Sequence, residues 1–180
     1  MPNWVDNEVK INADEEFLKE FADRHMKDGS FDFSTIIPID ISDDEYHGTE
    51  VRKFANGEEY LTGGKWYDWN CDNWGTKWNA HDTISEKFLK HGVLWFLTAW
   101  SPPIPVIEKL VTMYPNITLE WNFREEQGWG GARLYKDGVE QITMRKSWDI
   151  PSNHAENMEV FEYCWACDDE EEMEGYGCPV

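Results

Sequence analysis

Residues 92–110 read GVLWFLTAWSPPIPVIEKL. Residues 92–100 are apolar on both faces, the pattern of a central strand covered on both sides. Ser101-Pro102-Pro103 breaks the run. A helix is predicted to start at Pro103 or Pro105, since proline suits a first helical turn. Ile104, Ile107, Leu110 and Val111 then recur at helical spacing. Pro115-Asn116 ends that helix. Residues 117–124 follow as a strand with Ile117, Leu119, Trp121 and Phe123 on one face. Further on, residues 128–131 turn the chain. Residues 133–135 and 139–144 form a hairpin across Lys136-Asp137-Gly138, a strong turn signal.

Upstream lies KWYDWNCDNWGTKWNA, residues 65–80, with Trp66, Trp69, Trp74 and Trp78. Trp66, Trp69 and Asn73 follow helical spacing, and Asn70 and Trp74 repeat it one position on. Gly75 stands where a helix end wants a left-handed residue. Thr76, Trp78 and Ala80 then alternate with polar residues, which predicts the start of a strand. Burying an indole removes roughly 150–250 Å² of surface, so this stretch reads as a packing module. Residues 83–90 continue as a strand or a brief helical turn.

The chain begins with a further β-α-β pattern. Residues 4–11 alternate, with Val5, Val9 and Ile11 on one face. Asp14-Glu15-Glu16 opens a helix whose stripe is Phe17, Leu18, Phe21 and Ala22, and Asp28-Gly29 stops it. Residues 31–37 are predicted to form the second strand, ended by Pro38. Residues 40–64 carry acids and glycines without a period and read as a solvent-facing insertion with a short helix. The order is β-α-β, module, β-α-β, hairpin. Two split β-α-β halves on one antiparallel sheet make a ferredoxin-like plait, so the expected class is α+β with an inserted tryptophan-rich helix.

Composition narrows the function classes. The chain of 180 residues has 36 acidic against 16 basic residues, a net charge of −20. Direct nucleic-acid binding needs a basic footprint, so none is expected. An anionic surface favours basic partners. No apolar run approaches the ~20 residues of a membrane helix. MPNWVDNEVKI shows no basic segment followed by an apolar one, so no secretory signal is expected and the host cytoplasm is the expected location. Residues 148–180 hold ten of the acids and no Lys or Arg, against 26 acids and all 16 bases before them. Half the net charge therefore lies in this extension, and the expected domains are 1–147 and 148–180.

The extension also holds Cys164, Cys167 and Cys178, with His154 ahead of them. A C-x2-C pair places two thiolates on one tight turn, and three Cys with one His would complete a closed structural zinc site. An acidic segment too poor in apolar residues to build a core gains most from such a metal. Cys71 is the alternative fourth ligand to His154. His25, His47, His81 and His91 are scattered and read as surface or internally satisfied histidines. Asp68 and Asp72, one helical turn apart, read as a solvated face. No nucleotide-binding, metalloprotease or nucleophile-elbow motif is present, and no catalytic residue is assigned.

MPNW at the start, WYDWNCDNWGTKWNA at 66–80 and TAWSPPIPVIEKL at 98–110 together resemble the YubB-type ferredoxin-like domain of phage and plasmid proteins. The resemblance covers about residues 1–146. It implies a ferredoxin-like plait and a mobile-element origin, and carries over no catalytic residue.

Three functions follow as expectations. The first is a phage or mobile-element protein, not an enzyme, that binds and inhibits a host nucleic-acid-handling defence factor. An RNA-guided CRISPR nuclease, with its positively charged channel, is the example target. Asp168, Asp169, Glu170, Glu171, Glu172 and Glu174 are its expected partner-binding residues. The second is an enzyme acting on nucleotides or nucleic acid through a pocket beside the tryptophan module, with Asp68, Asp72 and His81. The third is an acidic structural protein of a virion or plasmid complex.

Overall fold

The computed structural model describes residues 3–126 and 129–144. Strand β1 (Trp4–Asn12) buries Val5, Asn7, Val9 and Ile11 on one face. Helix α1 (Glu15–His25) starts where the Asp14 carboxylate accepts the Phe17 N–H at 2.9 Å. Glu15 and Glu16 lie at its positive end, and Arg24 and His25 at its negative end. The two-residue strands β2 (Met26–Lys27) and β3 (Ser30–Phe31) form a tight ladder.

The strand predicted over 31–37 ends at Phe31. The Asp32 carboxylate accepts the Ser34 N–H at 3.0 Å and the Ser34 hydroxyl at 2.7 Å, and this local bonding folds Phe33–Thr35 into a single 3₁₀ turn. Phe31 and Phe33 are both buried, so their alternation imitates a strand. Helix α2 (Asp43–His47) and an unexpected hairpin, β4 (Thr49–Lys53) with β5 (Glu59–Gly63), fill most of the insertion. Helix α3 (Trp66–Asn73) follows the indole spacing. The strand expected to start at Thr76 begins only at β6 (His81–Ile84), because side-chain bonds described below hold residues 75–80 as turns. Helix α4 (Phe88–His91) is one turn long.

Strand β7 (Val93–Ala99), helix α5 (Ile104–Met113) and strand β8 (Thr118–Glu125) complete the second β-α-β unit. Strands β9 (Gly130–Lys136) and β10 (Val139–Met144) meet at Asp137 and Gly138, with φ of 54° and 73° as a type I′ turn requires. The sheet runs β10-β9-β8-β1-β7-β6, and every neighbouring pair is antiparallel. Within it, β1-α1-β6-β7-α5-β8 has the spatial order fourth, first, third, second strand. That is the ferredoxin-like plait, α+β in class, extended at one edge by β9 and β10. Its second strand is β6, so the segment between α1 and β6 is one long insertion.

Burial in β7 differs from the expectation of two covered faces. Leu94, Phe96 and Thr98 are buried, whereas Val93, Trp95 and Leu97 are only half-buried. The core lies on the other side of the sheet: Val9, Ile11, Phe96, Leu119 and Trp121 pack with Phe21 of α1 and Ile107 and Leu110 of α5. Arg133 on β9 is buried against it. Its guanidinium lies 5.6 Å from the Trp121 ring, bonds Glu108 of α5 at 3.0 Å and pairs with Glu140 of β10 at 3.3 Å. The added hairpin is thereby tied to the plait. Among the described residues no helix is long and apolar enough to cross a membrane.

Candidate functional site: an aromatic pocket in the insertion

Two hydrogen bonds fasten the tryptophan module to the end of β7. The Thr76 hydroxyl donates to the Ala99 carbonyl at 2.9 Å, and the Ser101 hydroxyl to the Gly75 carbonyl at 2.5 Å. Gly75 has φ +77°, and a Cβ there would fall 2.7 Å from Pro105 Cδ, so glycine is required on both counts. Rings continue the link inward: Trp74 meets Phe33 at 5.9 Å, and Phe33 meets Phe96 of β7 at 5.7 Å, both edge to face.

The polar atoms of α3 then hold the earlier part of the insertion. Trp69 Nε1 donates to Asp40 Oδ1 at 2.8 Å, and Trp74 Nε1 to the Ile37 carbonyl at 3.0 Å. Buried Asn70 takes the Tyr46 hydroxyl on Oδ1 at 2.7 Å and gives Nδ2 to the Lys77 carbonyl at 2.9 Å. Asn79 gives Nδ2 to Asp32 Oδ1 at 2.7 Å, while its Oδ1 accepts the N–H groups of Phe33 and Ala80 at 2.8 and 2.9 Å. Residues 32–47 and 66–80 are thus zipped together by side chains, without strand pairing between them.

The zipper leaves a cavity of about 500 Å³ between the two segments. Tyr46, Trp66, Trp74 and Trp78 supply its aromatic walls, with Asp32, Ser34, Ile39, His47, Asn70 and Asn79 around them. This size and mixture suit a small-molecule or side-chain pocket. Asn70 and Asn79 are already bonded within the protein, as are the hydroxyl of Tyr46 and the indole N–H of Trp74. Asp32 stands apart. Burial pushes its carboxyl up, but the bonds from Asn79 and Ser34, with Lys27 nearby, outweigh burial and hold it below the ordinary carboxylate range. The pocket therefore combines flat aromatic surface with an ionised carboxylate, a combination that attracts organic cations.

Trp66 and Trp78 also belong to a second aromatic group. The Lys77 ammonium lies 4.5 Å from the ring centroids of Trp78 and Trp100, 5.9 Å from Tyr67 and 6.0 Å from Trp66. Trp100 keeps φ at +71° with its side chain 44% exposed.

The expected site residues fall in several places. His154, Cys164, Cys167, Cys178 and the acids Asp168, Asp169, Glu170, Glu171, Glu172 and Glu174 lie outside the described residues. Cys71, the alternative ligand, is half-buried in α3, where burial pushes its thiol up. Among the described residues no group of three or more His, Cys, Asp and Glu could hold a metal ion. Asp68 is exposed and pairs with Arg52 at 3.1 Å, as a solvated helix face does. The His81 ring lies 5.0 Å from that of Trp4 in a tilted contact and 3.1 Å from Asp82. His47 lines the pocket.

His25 is fully buried, as an internally satisfied histidine. The Thr35 hydroxyl donates to the Asp32 carbonyl at 2.6 Å, so it must accept from His25 Nδ1 at 2.8 Å. Nε2, left as the acceptor, takes the Tyr114 hydroxyl at 2.7 Å. Burial, with Arg24 adding to it, lowers the His25 pKa to about 4. Asp32, Tyr46 and Asn79 were missing from the sequence reading of the site, because no period marks them. The only signal was the proximity of Asn79 to the tryptophans.

With this geometry in view, comparison with known families is informative on one point. Residues 73–173 match the family described as ferredoxin-like domain in Api92-like protein. The match covers more than half of the chain, and the chain belongs to that family. Comparisons with curated proteins and with solved structures find no match.

Proposed function

We propose that this member of the ferredoxin-like-domain family acts by binding and not by catalysis. It docks on a basic, nucleic-acid-handling host defence factor and inhibits it, as a phage or mobile-element protein in the host cytoplasm would. An RNA-guided nuclease is the example target, because its duplex channel is positively charged. The observation that carries this reading is the pocket of Tyr46, Trp66, Trp74 and Trp78, with an ionised Asp32, in a chain of charge −20. Negative charge speeds encounter with a basic surface, and an aromatic pocket supplies an anchor after contact. In this reading Asp168, Asp169, Glu170, Glu171, Glu172 and Glu174 add to the negative charge that meets the partner. A zinc ion on Cys164, Cys167, Cys178 and His154, or on Cys71 in place of His154, would order that extension.

The test is direct. Purified nuclease and this protein should associate, with loss of cleavage, and association should slow as salt is raised from low to physiological strength, where exposed charges are screened over ~8 Å. Changing Glu170, Glu171 and Glu172 to Gln should slow association further without lowering the melting temperature. Binding that survives both changes at an unaltered rate would replace electrostatic docking by a shape-driven contact. Absence of binding to any nucleic-acid-handling host factor would overturn the reading. Elemental analysis of protein purified without added metal decides the zinc.

A further inference from the structure

We propose that the pocket between α2 and α3 is a receptor for an arginine side chain presented by the basic partner. This deepens the binding reading above and rests on it. The walls are flat and aromatic, and a guanidinium is flat, weakly hydrated and suited to stacking on indole and phenol rings. Several polar groups that would otherwise select a neutral hydrogen-bonding ligand are already engaged: both ends of the Asn70 amide, both ends of the Asn79 amide and the Tyr46 hydroxyl. Asp32 has its Oδ1 filled by Ser34 and Asn79, which fixes the carboxylate in place while leaving Oδ2 outside those bonds. A carboxylate held in this way on an aromatic wall is the counter-charge a guanidinium needs.

The same protein already displays this chemistry with its own cation. Trp66 and Trp78, which wall the pocket, also lie within 6.0 and 4.5 Å of the Lys77 ammonium. The local field agrees in sign. Residues 32–47 and 66–80, which form the pocket, carry Asp32, Asp40, Asp43, Asp44, Glu45, Asp68 and Asp72 against Lys77. A cavity of about 500 Å³ accommodates one long side chain and leaves the rest of the partner outside.

The experiment titrates the full-length protein with a short peptide containing one central arginine, and with the same peptide containing citrulline, its neutral isostere. Heat and tryptophan fluorescence are the readouts. The arginine peptide should bind saturably and at least about tenfold more tightly than the citrulline peptide. Asp32→Asn should remove most of that difference while keeping the turn, since asparagine caps as well as aspartate. Trp78→Leu should weaken the arginine peptide. Equal affinity for the two peptides overturns the proposal, and this comparison needs no variant to fold. Tighter binding of free agmatine than of the arginine peptide also overturns it, by making the site a small-molecule receptor.

The two readings fail separately. If a nuclease binds wild type and Asp32→Asn alike, with unchanged salt dependence, the arginine pocket is wrong and electrostatic docking stands. If the arginine peptide binds but no nucleic-acid-handling host factor does, the pocket stands and the inhibitor reading falls.

Discussion

In β1, β7 and β8 the buried side chains are mostly Val, Ile, Leu and Phe, and neighbouring strands satisfy the backbone. Between residues 32 and 80 the buried rings are Phe33, Tyr46, Trp69 and Trp74, and the last three of these also make hydrogen bonds to other segments. The plait is therefore held chiefly by area and register, with buried Asn7 bonded to Thr98 and Trp121 as a polar link inside it. The insertion is held by a few directional bonds, and cutting one at a buried group such as Asn70 leaves its partners orphaned. Such a zipper builds a pocket wall from residues far apart in sequence without a second sheet. Its fragility is local.

The sharpest way to break the contrast is to strike the plait. Trp121 is fully buried, donates Nε1 to Asn7 Oδ1 at 3.2 Å and carries Arg133 on its ring. Trp121→Ala should cost about 3–5 kcal/mol, with the whole domain unfolding at lower denaturant. A loss confined to the insertion, seen by hydrogen exchange, would mean that the two regions do not share one core.

The next effect uses protons. His25 has its folded pKa lowered to about 4 from 6.5, so the unfolded chain takes up a proton before the folded chain does. This contribution is fully present above pH ~6.5 and is lost as pH falls toward 4. By linkage it amounts to roughly 3 kcal/mol. Urea titrations across this window should show the fall, and the part due to His25 should vanish in His25→Gln. An unchanged slope in that variant would place the acid sensitivity elsewhere.

A third change separates the regions. Asn70→Ala leaves the Tyr46 hydroxyl and the Lys77 carbonyl without their partner. The expected cost is about 2 kcal/mol. It should appear as faster exchange in residues 32–80, with the β1–β8 ladder still protected. Equal loss across the sheet would show the zipper to be part of the plait's own cooperativity.

These effects explain what could be read in advance. The helices of residues 15–25 and 104–113, the strand alternation in β1 and β8 and the β9–β10 turn were legible, because period, caps and turn residues are local signals. The plait was legible as a class, but its second strand was misplaced. Phe31 and Phe33 alternate like a strand, and only the Asp32–Ser34–Asn79 bonds, made partly across 47 residues, turn the chain away. The two-sided burial expected of β7 failed because a run such as Val93, Trp95 and Leu97 does not reveal which sheet face the helices cover. Of the pocket, Trp66, Trp74 and Trp78 stood out by composition. Asp32 and Tyr46 did not, since their role exists only once α2 has docked on α3.

The smallest expected effect lies at the outer end of the insertion. In the β4–β5 hairpin, Glu50 and Arg52 share a face, and Arg52 reaches Asp68 on α3 at 3.1 Å. Val51 and Leu61 pair directly across the strands on the opposite face and are 59% and 72% exposed. An isolated two-stranded ribbon is marginal in water, so what anchors this one is its attachment at α2 and α3. The Lys65 N–H, for instance, donates to the Glu45 carbonyl at 2.9 Å. Leu61 has little area to lose. Leu61→Ser should therefore shift stability by less than about 0.5 kcal/mol, within the range of surface substitutions. The measurement is the same urea midpoint used for Trp121→Ala. A cost above about 1.5 kcal/mol would show that Leu61 is covered in solution, and the hairpin would then belong with the packed regions.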